Sequence, residues 1–88
     1  MSLNTFRDEA GEFLAAVDPA REEPVSAIID MLDREYAELK ASLNDPALLS
    51  HEIYDMLFLL FELAAKNGCD LDAEWTQGRD NKRKYTDQ

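Results

Sequence analysis

The sequence predicts an all-α fold in which four helices form a bundle-like domain. Apolar residues recur at helical spacing along most of the 88-residue chain, and no segment shows the alternating pattern of a strand. The connections between the periodic segments are short, which favours antiparallel packing of neighbouring helices. We expect a single domain over residues 1–88, because a chain of this length suffices for one small domain and no more.

The first helix is predicted over residues 4–17, where an apolar stripe repeats at helical spacing: Phe6, Ala10, Phe13, Leu14 and Val17. Either Asn4 or Thr5 can cap its amino terminus. Residues 18–24 contain two prolines and form the predicted linker. Pro24 suits the first position of the next helix, because its ring pre-sets a helical φ angle.

The second helix is predicted over residues 24–43, with one apolar stripe: Val25, Ile28, Leu32, Leu39 and Leu43. Residues 44–46 end this helix and also contain the cap and the first turn of the third helix. The third helix is predicted to continue to Asn67 and to stop at Gly68, which tolerates the left-handed conformation.

The fourth helix is predicted to begin near residues 70–72 and to run towards Tyr85, with residues 86–88 as a tail. It carries a basic cluster, and Gly78 weakens it in the middle. It also carries Trp75. A lone tryptophan in a small bundle is typical of a core or an interface, although its ring can also stack on a base.

The centre of the third helix is apolar at every position from residue 56 to residue 61. A helix that is apolar on every side is buried on every side, and the three other helices can hardly cover it. We therefore expect a homodimer or tetramer that completes the bundle. Four side chains of this segment would be divided between core and interface: Leu57, Phe58, Leu60 and Phe61.

The net charge of -10, from 19 acidic and 9 basic residues, argues against nucleic acid or an anionic membrane as a partner. The apolar run at residues 56–61 is also too short to span a bilayer. A single cysteine, Cys69, rules out an internal disulfide, and the first residues lack the pattern of a signal peptide. These features predict a cytoplasmic protein.

Two acidic pairs at i, i+3 spacing mark the candidate functional site. Glu35 and Glu38 lie in the second helix, and Glu52 and Asp55 lie in the third, so each pair occupies one helical face. Carboxylates from two adjacent helices can converge on one cation, and an all-oxygen set selects Mg²⁺, Mn²⁺ or Ca²⁺. The alternative is a solvated surface, because 19 acidic residues form many such pairs by chance.

The positions of these carboxylates favour the metal site. Glu35 lies beside Ile28 and Leu39 at the edge of an apolar stripe. The pair in the third helix shares its stripe with three leucines: Leu48, Leu59 and Leu63. A buried carboxylate without a partner is costly, so one placed among leucines requires a cation.

A resemblance to a known family is carried by two segments, Glu35-Tyr-Ala-Glu38-Leu39 and Glu52-Ile-Tyr-Asp55-Met-Leu57-Phe58. They resemble the signature of the all-α nucleotide pyrophosphohydrolases, the group of MazG, dCTP pyrophosphatase and phosphoribosyl-ATP pyrophosphohydrolase. The likeness continues over residues 62–71. It closes at residues 81–85, Asn-Lys-Arg-Lys-Tyr, which are similar to the Asn-x-x-Arg-Tyr ending of MazG-like proteins. It covers about residues 28–85.

The resemblance implies hydrolysis of a nucleoside triphosphate to a monophosphate and pyrophosphate. It implies Mg²⁺, with Mn²⁺ possible, held by Glu35, Glu38, Glu52 and Asp55, and either Glu35 or Glu38 as the acceptor of the water proton. It also implies that residues near the C-terminus contact the nucleotide phosphates: Asn81, Lys82, Lys84 and Tyr85. A basic helix end is by itself also favourable to the helix dipole.

Three positions depart from the family pattern: Arg34 and Gln77 replace a common glutamate and a common lysine, and Lys84 replaces an arginine. They affect phosphate contacts and substrate choice rather than the metal ligands. Two alternatives remain, namely phosphoribosyl-ATP hydrolysis, against which the C-terminal ending argues, and a non-catalytic helical interaction protein of the same fold. Cys69 is interpreted as inert. His51 is interpreted as a solvated residue, although it can also act as a base or ligand.

Overall fold

The computed structural model describes residues 2–86, and all regular structure in them is helical. The helices are α1 (Leu3–Val17), α2 (Val25–Ala41), α3 (Pro46–Lys66) and α4 (Leu71–Thr86). The all-α prediction is therefore confirmed for the described part of the chain. Residue 1 and residues 87–88 of the predicted domain and tail lie outside the described residues, and Thr86 belongs to α4 rather than to a tail. Within residues 2–86, no helix is both long enough and apolar enough to cross a bilayer.

Helix α1 is capped by Ser2, and not by Asn4 or Thr5. Ser2 Oγ accepts a hydrogen bond from Thr5 N at 3.2 Å, and Ser2 N donates to Thr5 Oγ1 at 3.4 Å, so the two residues form a capping box. Asn4 instead connects two helices. Its Oδ1 accepts from Leu71 N at 2.8 Å, and its Nδ2 donates to Asp70 Oδ1 at 3.0 Å.

Helix α2 is shorter than predicted at both ends. Pro24 occupies the cap position with an extended ψ of 160°, so the first helical residue is Val25. At the other end, the backbone N and Oγ of Ser42 both donate to Leu39 O, at 3.2 and 3.0 Å, and close the last turn. Leu43 then lies in the turn before α3 with 64% of its surface exposed, so it is not part of the buried stripe.

The predicted ends of α3 are confirmed. Asp45 Oδ1 accepts a hydrogen bond from Leu48 N at 3.2 Å and caps the helix, which continues to Lys66. Gly68 follows with a φ of 63°, the left-handed conformation that glycine adopts without a steric penalty. These two ends fix the length of the helix that carries Glu52 and Asp55.

Helix α3 is the shared packing partner of α1 and α2, and α4 packs against α1. The contact between α1 and α3 is close, because a Cβ atom at Gly11 would lie 2.9 Å from Ala65 Cβ. Four apolar residues among those described are buried: Ala10, Leu14, Ile28 and Ala64. The core therefore lies where α1, α2 and α3 meet.

The single chain is more extended than a closed bundle. Its radius of gyration is 15.3 Å, and its extents are 50 × 34 × 24 Å, whereas a compact domain of this length has a radius of gyration of about 12 Å. No described residue of α4 is buried, and Trp75 is 60% exposed, so it is not a core residue of this chain. The helices form an open arrangement in which α4 extends from α1.

The linker is an ordered turn. The carboxylate of Asp18 accepts hydrogen bonds from Glu22 N at 3.2 Å and Glu23 N at 2.9 Å, and Arg21 adopts a left-handed φ of 54°. Lys66 Nζ donates to the carbonyl oxygen of Glu23. These bonds hold the linker against the C-terminal end of α3.

Candidate metal centre

Helices α2 and α3 bring the predicted carboxylates into two overlapping groups, which together form the carboxylate cluster. Ligand atoms of Glu35, Glu38 and Glu52 all lie within 4.8 Å of one another. A second set, formed by His51, Glu52 and Asp55, meets the same distance. Glu52 belongs to both sets and therefore lies at the centre. The i, i+3 spacing explains the geometry, because it directs each pair towards the neighbouring helix.

Glu52 is a buried carboxylate whose charge needs a bound proton or a bound cation. Only 6% of its surface is exposed, and its Oε2 atom is buried without a hydrogen-bond partner. Glu35 Oε2 is in the same situation on the facing helix. Buried carboxylate oxygens without partners cost free energy, and a cation offsets this cost. A set of carboxylate ligands fits Mg²⁺ or Mn²⁺.

The surroundings of Glu35 raise the pKa of its carboxyl group. The largest cause is the adjacent carboxyl group of Glu52, with which Glu35 can form a hydrogen bond only when one of the two is protonated. Burial and the negative charges of Glu52 and Asp55 act in the same direction, while a contact with Glu38 opposes them. The cluster therefore takes up a proton or a cation more readily than separate surface carboxylates do.

His51 lies at the outer edge of the cluster. Its Nε2 is 3.2 Å from Asp55 Oδ2, one helical turn away, and its side chain is 65% exposed. The solvated position expected for this residue is therefore observed, together with a contact to a predicted ligand. Because imidazole is a common ligand of transition metals, His51 adds a nitrogen donor at this edge.

A pocket of about 700 Å³ opens beside the carboxylates. Part of its wall is polar and formed by Arg34, Glu35, Glu38 and Asp55, and the rest is apolar or aromatic and formed by Phe13, Met31, Tyr54, Phe58 and Leu59. The rings of Phe13 and Phe58 meet edge to face with centroids 5.3 Å apart. The pocket therefore combines cation-binding oxygens with aromatic surfaces, and its volume is typical of small-molecule sites.

The predicted phosphate-binding residues lie outside this pocket. Asn81, Lys82, Lys84 and Tyr85 are exposed on the second half of α4, and none of them lines its wall. Helix α4 is attached near its start, where Leu3 N donates to Asp72 Oδ1 at 2.9 Å. Within residues 2–86 of one chain, the fold therefore does not bring these residues to the carboxylates.

Sequence reasoning did not identify Phe13, Tyr54 or Arg34 as pocket residues. Phe13 belongs to the apolar stripe of α1, and its spacing is the same whether its ring enters a core or a pocket. Arg34 directly precedes Glu35 in the sequence, so its backbone must lie close to the carboxylate cluster. The direction of its side chain nevertheless depends on how α2 is rotated against α3, which the sequence does not specify.

Comparisons with known protein families, with curated proteins and with solved structures find no match to this chain. The carboxylate cluster and the adjoining pocket are therefore the features from which a function can be inferred.

Proposed function

We propose that the protein is a Mg²⁺-dependent nucleoside triphosphate pyrophosphohydrolase, which converts a ribo- or deoxyribonucleoside triphosphate and water to the monophosphate and pyrophosphate. The observation that carries this proposal is the buried, unpartnered Oε2 of Glu52 where carboxylates of two helices meet. The motif resemblance to the MazG-like group supplies the reaction. The aromatic wall of the pocket supports a nucleobase as part of the substrate.

The metal would be held by Glu35, Glu38, Glu52 and Asp55. When bound there, Mg²⁺, or Mn²⁺ in its place, would neutralise phosphate charge and lower the pKa of the attacking water. Either Glu35 or Glu38 would accept the water proton, since both carboxylates line the pocket.

The reaction breaks the anhydride bond between the α and β phosphates. The water oxygen bonds to the α phosphorus, its proton passes to the carboxylate base, and pyrophosphate leaves with the bridging oxygen. Phe13, Tyr54 and Phe58 would contact the base while the polar wall faces the phosphates. Positive charge near the leaving pyrophosphate favours such a displacement, because it stabilises the negative charge that develops on the leaving group in the transition state.

We also propose that two or four copies of the chain assemble. The exposed fractions of Ile53, Leu57 and Leu60 on α3 are 46%, 47% and 48%, and the single chain is extended. Contiguous apolar surface of this kind is typical of an interface. A second copy would also provide a route by which Asn81, Lys82, Lys84 and Tyr85 approach a pocket that they do not reach within one chain. The exposed, unpaired thiol of Cys69 fits a reducing cytoplasm.

The test is a pyrophosphate-release assay with Mg²⁺ across ribo- and deoxyribonucleoside triphosphates, with phosphoribosyl-ATP in the same panel. We expect turnover of at least one nucleoside triphosphate. Glu35→Gln and Asp55→Asn should each reduce it by about 100-fold or more, because each removes a charged ligand. Asp30→Asn is the matched control, since Asp30 is an exposed carboxylate of α2 that does not line the pocket.

The panel also separates the alternatives. Turnover of phosphoribosyl-ATP alone would identify the histidine-biosynthesis reaction instead. Absence of pyrophosphate release from every compound, with intact helical circular dichroism, would favour the interaction protein. Near wild-type activity in Glu35→Gln at saturating Mg²⁺ would show that the ligand assignment is wrong.

A further inference from the structure

One basic side chain, Arg34, lines the pocket beside the metal centre. The other charged residues of that wall are Glu35, Glu38 and Asp55, all of them acidic. Arg34 directly precedes Glu35 and lies four residues before Glu38, so it is within one helical turn of both. Within residues 2–86, it is the wall's one source of fixed positive charge.

The guanidinium of Arg34 has no acidic partner in the described part of the chain. No carboxylate oxygen there lies within the 4.0 Å of an ion pair, although carboxylates line the same pocket. Lys40, on the same helix, lies 4.6 Å above the ring of Tyr36, and Arg7 donates to Asp8 and to Cys69 O. Some exposed basic residues among those described also lack an ion pair, but they do not line this pocket: Arg21, Arg79, Lys82 and Lys84. Arg34 is therefore available to an anion from outside the chain.

The charge balance of the pocket indicates what that anion is. A di- or triphosphate chain carries several negative charges, and the carboxylate cluster repels it unless cations intervene. A divalent cation on the cluster offsets part of this charge, and a fixed guanidinium offsets more. The planar fork of arginine also matches two phosphate oxygens at once, which a lysine ammonium does not.

We propose that Arg34 binds the phosphate chain of the substrate at the rim of the pocket and so selects ligands with two or more phosphates. This inference rests on the proposed function. It assigns the phosphate contact to α2 of the same chain, next to the metal ligands. The residues of α4 are not needed for this contact.

The experiment compares wild type, Arg34→Ala, Arg34→Lys and the control Lys40→Ala, which removes the same charge from the same helix outside the pocket. Isothermal titration with Mg²⁺ measures binding of a nucleoside triphosphate with a non-hydrolysable α–β bridge and, separately, of the uncharged nucleoside. KM is measured with the natural triphosphate. Circular dichroism checks that each variant is folded.

We expect Arg34→Ala to raise Kd and KM for the triphosphate by about tenfold or more, the usual effect of losing charge-assisted hydrogen bonds. Nucleoside binding should not change. The Kd and KM of Arg34→Lys should lie between those of wild type and Arg34→Ala, and those of Lys40→Ala should match wild type. If wild type turns over triphosphates and Arg34→Ala binds them as Lys40→Ala does, Arg34 has no such role and the proposed function stands. If wild type neither binds nor hydrolyses any triphosphate, the proposed function and this inference both fail.

Discussion

Two glutamates of α3 are buried to nearly the same extent in different surroundings. Glu52 is 6% exposed and lies among the carboxylates of the metal centre, whereas Glu62 is 7% exposed and lies near the linker. Burial, and then the negative charge of Glu23, raises the pKa of Glu62. The pKa of Glu35 is raised chiefly by Glu52. A cation bound at the carboxylate cluster, as proposed, would act on Glu35 and leave Glu62 unchanged.

Both raised pKa values make stability fall as pH rises. Each carboxyl group binds its proton more tightly in the folded state, so it stabilises the fold at low pH and loses this effect as pH passes through the raised pKa. In metal-free protein, Glu35→Gln and Glu62→Gln should each reduce the drop in Tm between about pH 5 and about pH 8. Thermal melting with a chelator measures this.

Added Mg²⁺ distinguishes the two groups. If Mg²⁺ binds the folded cluster as proposed, it should raise the Tm of wild type and of Glu62→Gln, and more at the higher pH, while Glu35→Gln responds weakly. The net charge of -10 adds nearly the same pH slope to every variant, and the comparison removes it. Equal slopes and equal Mg²⁺ responses in all three proteins would identify Glu35 as an ordinary solvated side chain.

Among individual residues, the two acidic pairs could be predicted from the sequence, because helical spacing determines which residues share a face of one helix. Glu52 and Asp55 follow from their position among leucines, and Glu52 is indeed buried. Arg34 and Phe13 do not follow, because their approach to the pocket depends on the rotation of whole helices. No residue pattern encodes that rotation locally.

Helices α1 and α3 approach each other closely at Gly11. The space for a Cβ atom there is already taken by Ala65 Cβ, 2.9 Å away. Gly78, in the middle of α4, has nothing within 4 Å of the same position. Gly11 therefore permits the packing of α1 on α3, whereas Gly78 lowers the helix propensity of α4 and has no packing role.

These two glycines predict opposite effects of the same substitution. Gly11→Ala should lower Tm, because overpacking costs about 1–3 kcal/mol and exceeds the gain in helix propensity. Gly78→Ala should be neutral or stabilising by roughly 0.5–1 kcal/mol, because alanine favours the helix and meets no neighbour. Urea unfolding followed by circular dichroism measures both. A stabilised Gly11→Ala variant would show that α1 and α3 pack less closely than described.

The sequence predicts the existence and the order of the helices, since their apolar periodicity is long. The predicted boundaries are wrong at ends of α1 and α2, where one or two hydrogen bonds determine the residue at which the helix begins or ends. Ser42 ends α2 before Leu43 through two bonds to one carbonyl group. Ser2 starts α1 before Asn4, which is engaged with α4 instead. These bonds at the ends of α1 and α2 join residues three apart, so the sequence contains the capping residues but offers several candidates for each end.

Many large apolar side chains are exposed over the described part of the molecule. Large apolar side chains of α1 and α3 remain exposed, among them Phe13 at 52% and Tyr54 at 60%. The sequence indicates this feature through the all-apolar segment of the third helix. It does not specify the partner that covers this surface or the geometry of the contact, because those depend on the final shape of the surface.

Self-association predicts a particle of two or four times 10.0 kDa at micromolar concentration. Light scattering after size-exclusion chromatography measures this mass. The double variant Leu57→Glu with Leu60→Glu should dissociate the particle, because it places charges on the exposed face of α3. Leu43→Glu, in the turn before α3, is the control. A wild-type mass of one chain would contradict the prediction.

The attachment of α4 at its start has a consequence for hydrogen exchange. Amides protected by packing exchange only when that packing opens, whereas amides of a solvent-exposed helix exchange by fraying. The bonds of Asn4 and Leu3 to residues 70–72 hold the first turn of α4, and its described second half is exposed. Protection should therefore decrease along α4 towards Thr86 in dilute protein. If a second chain covers this half, its amides slow down as protein concentration rises, and the exchange rate then reports assembly residue by residue.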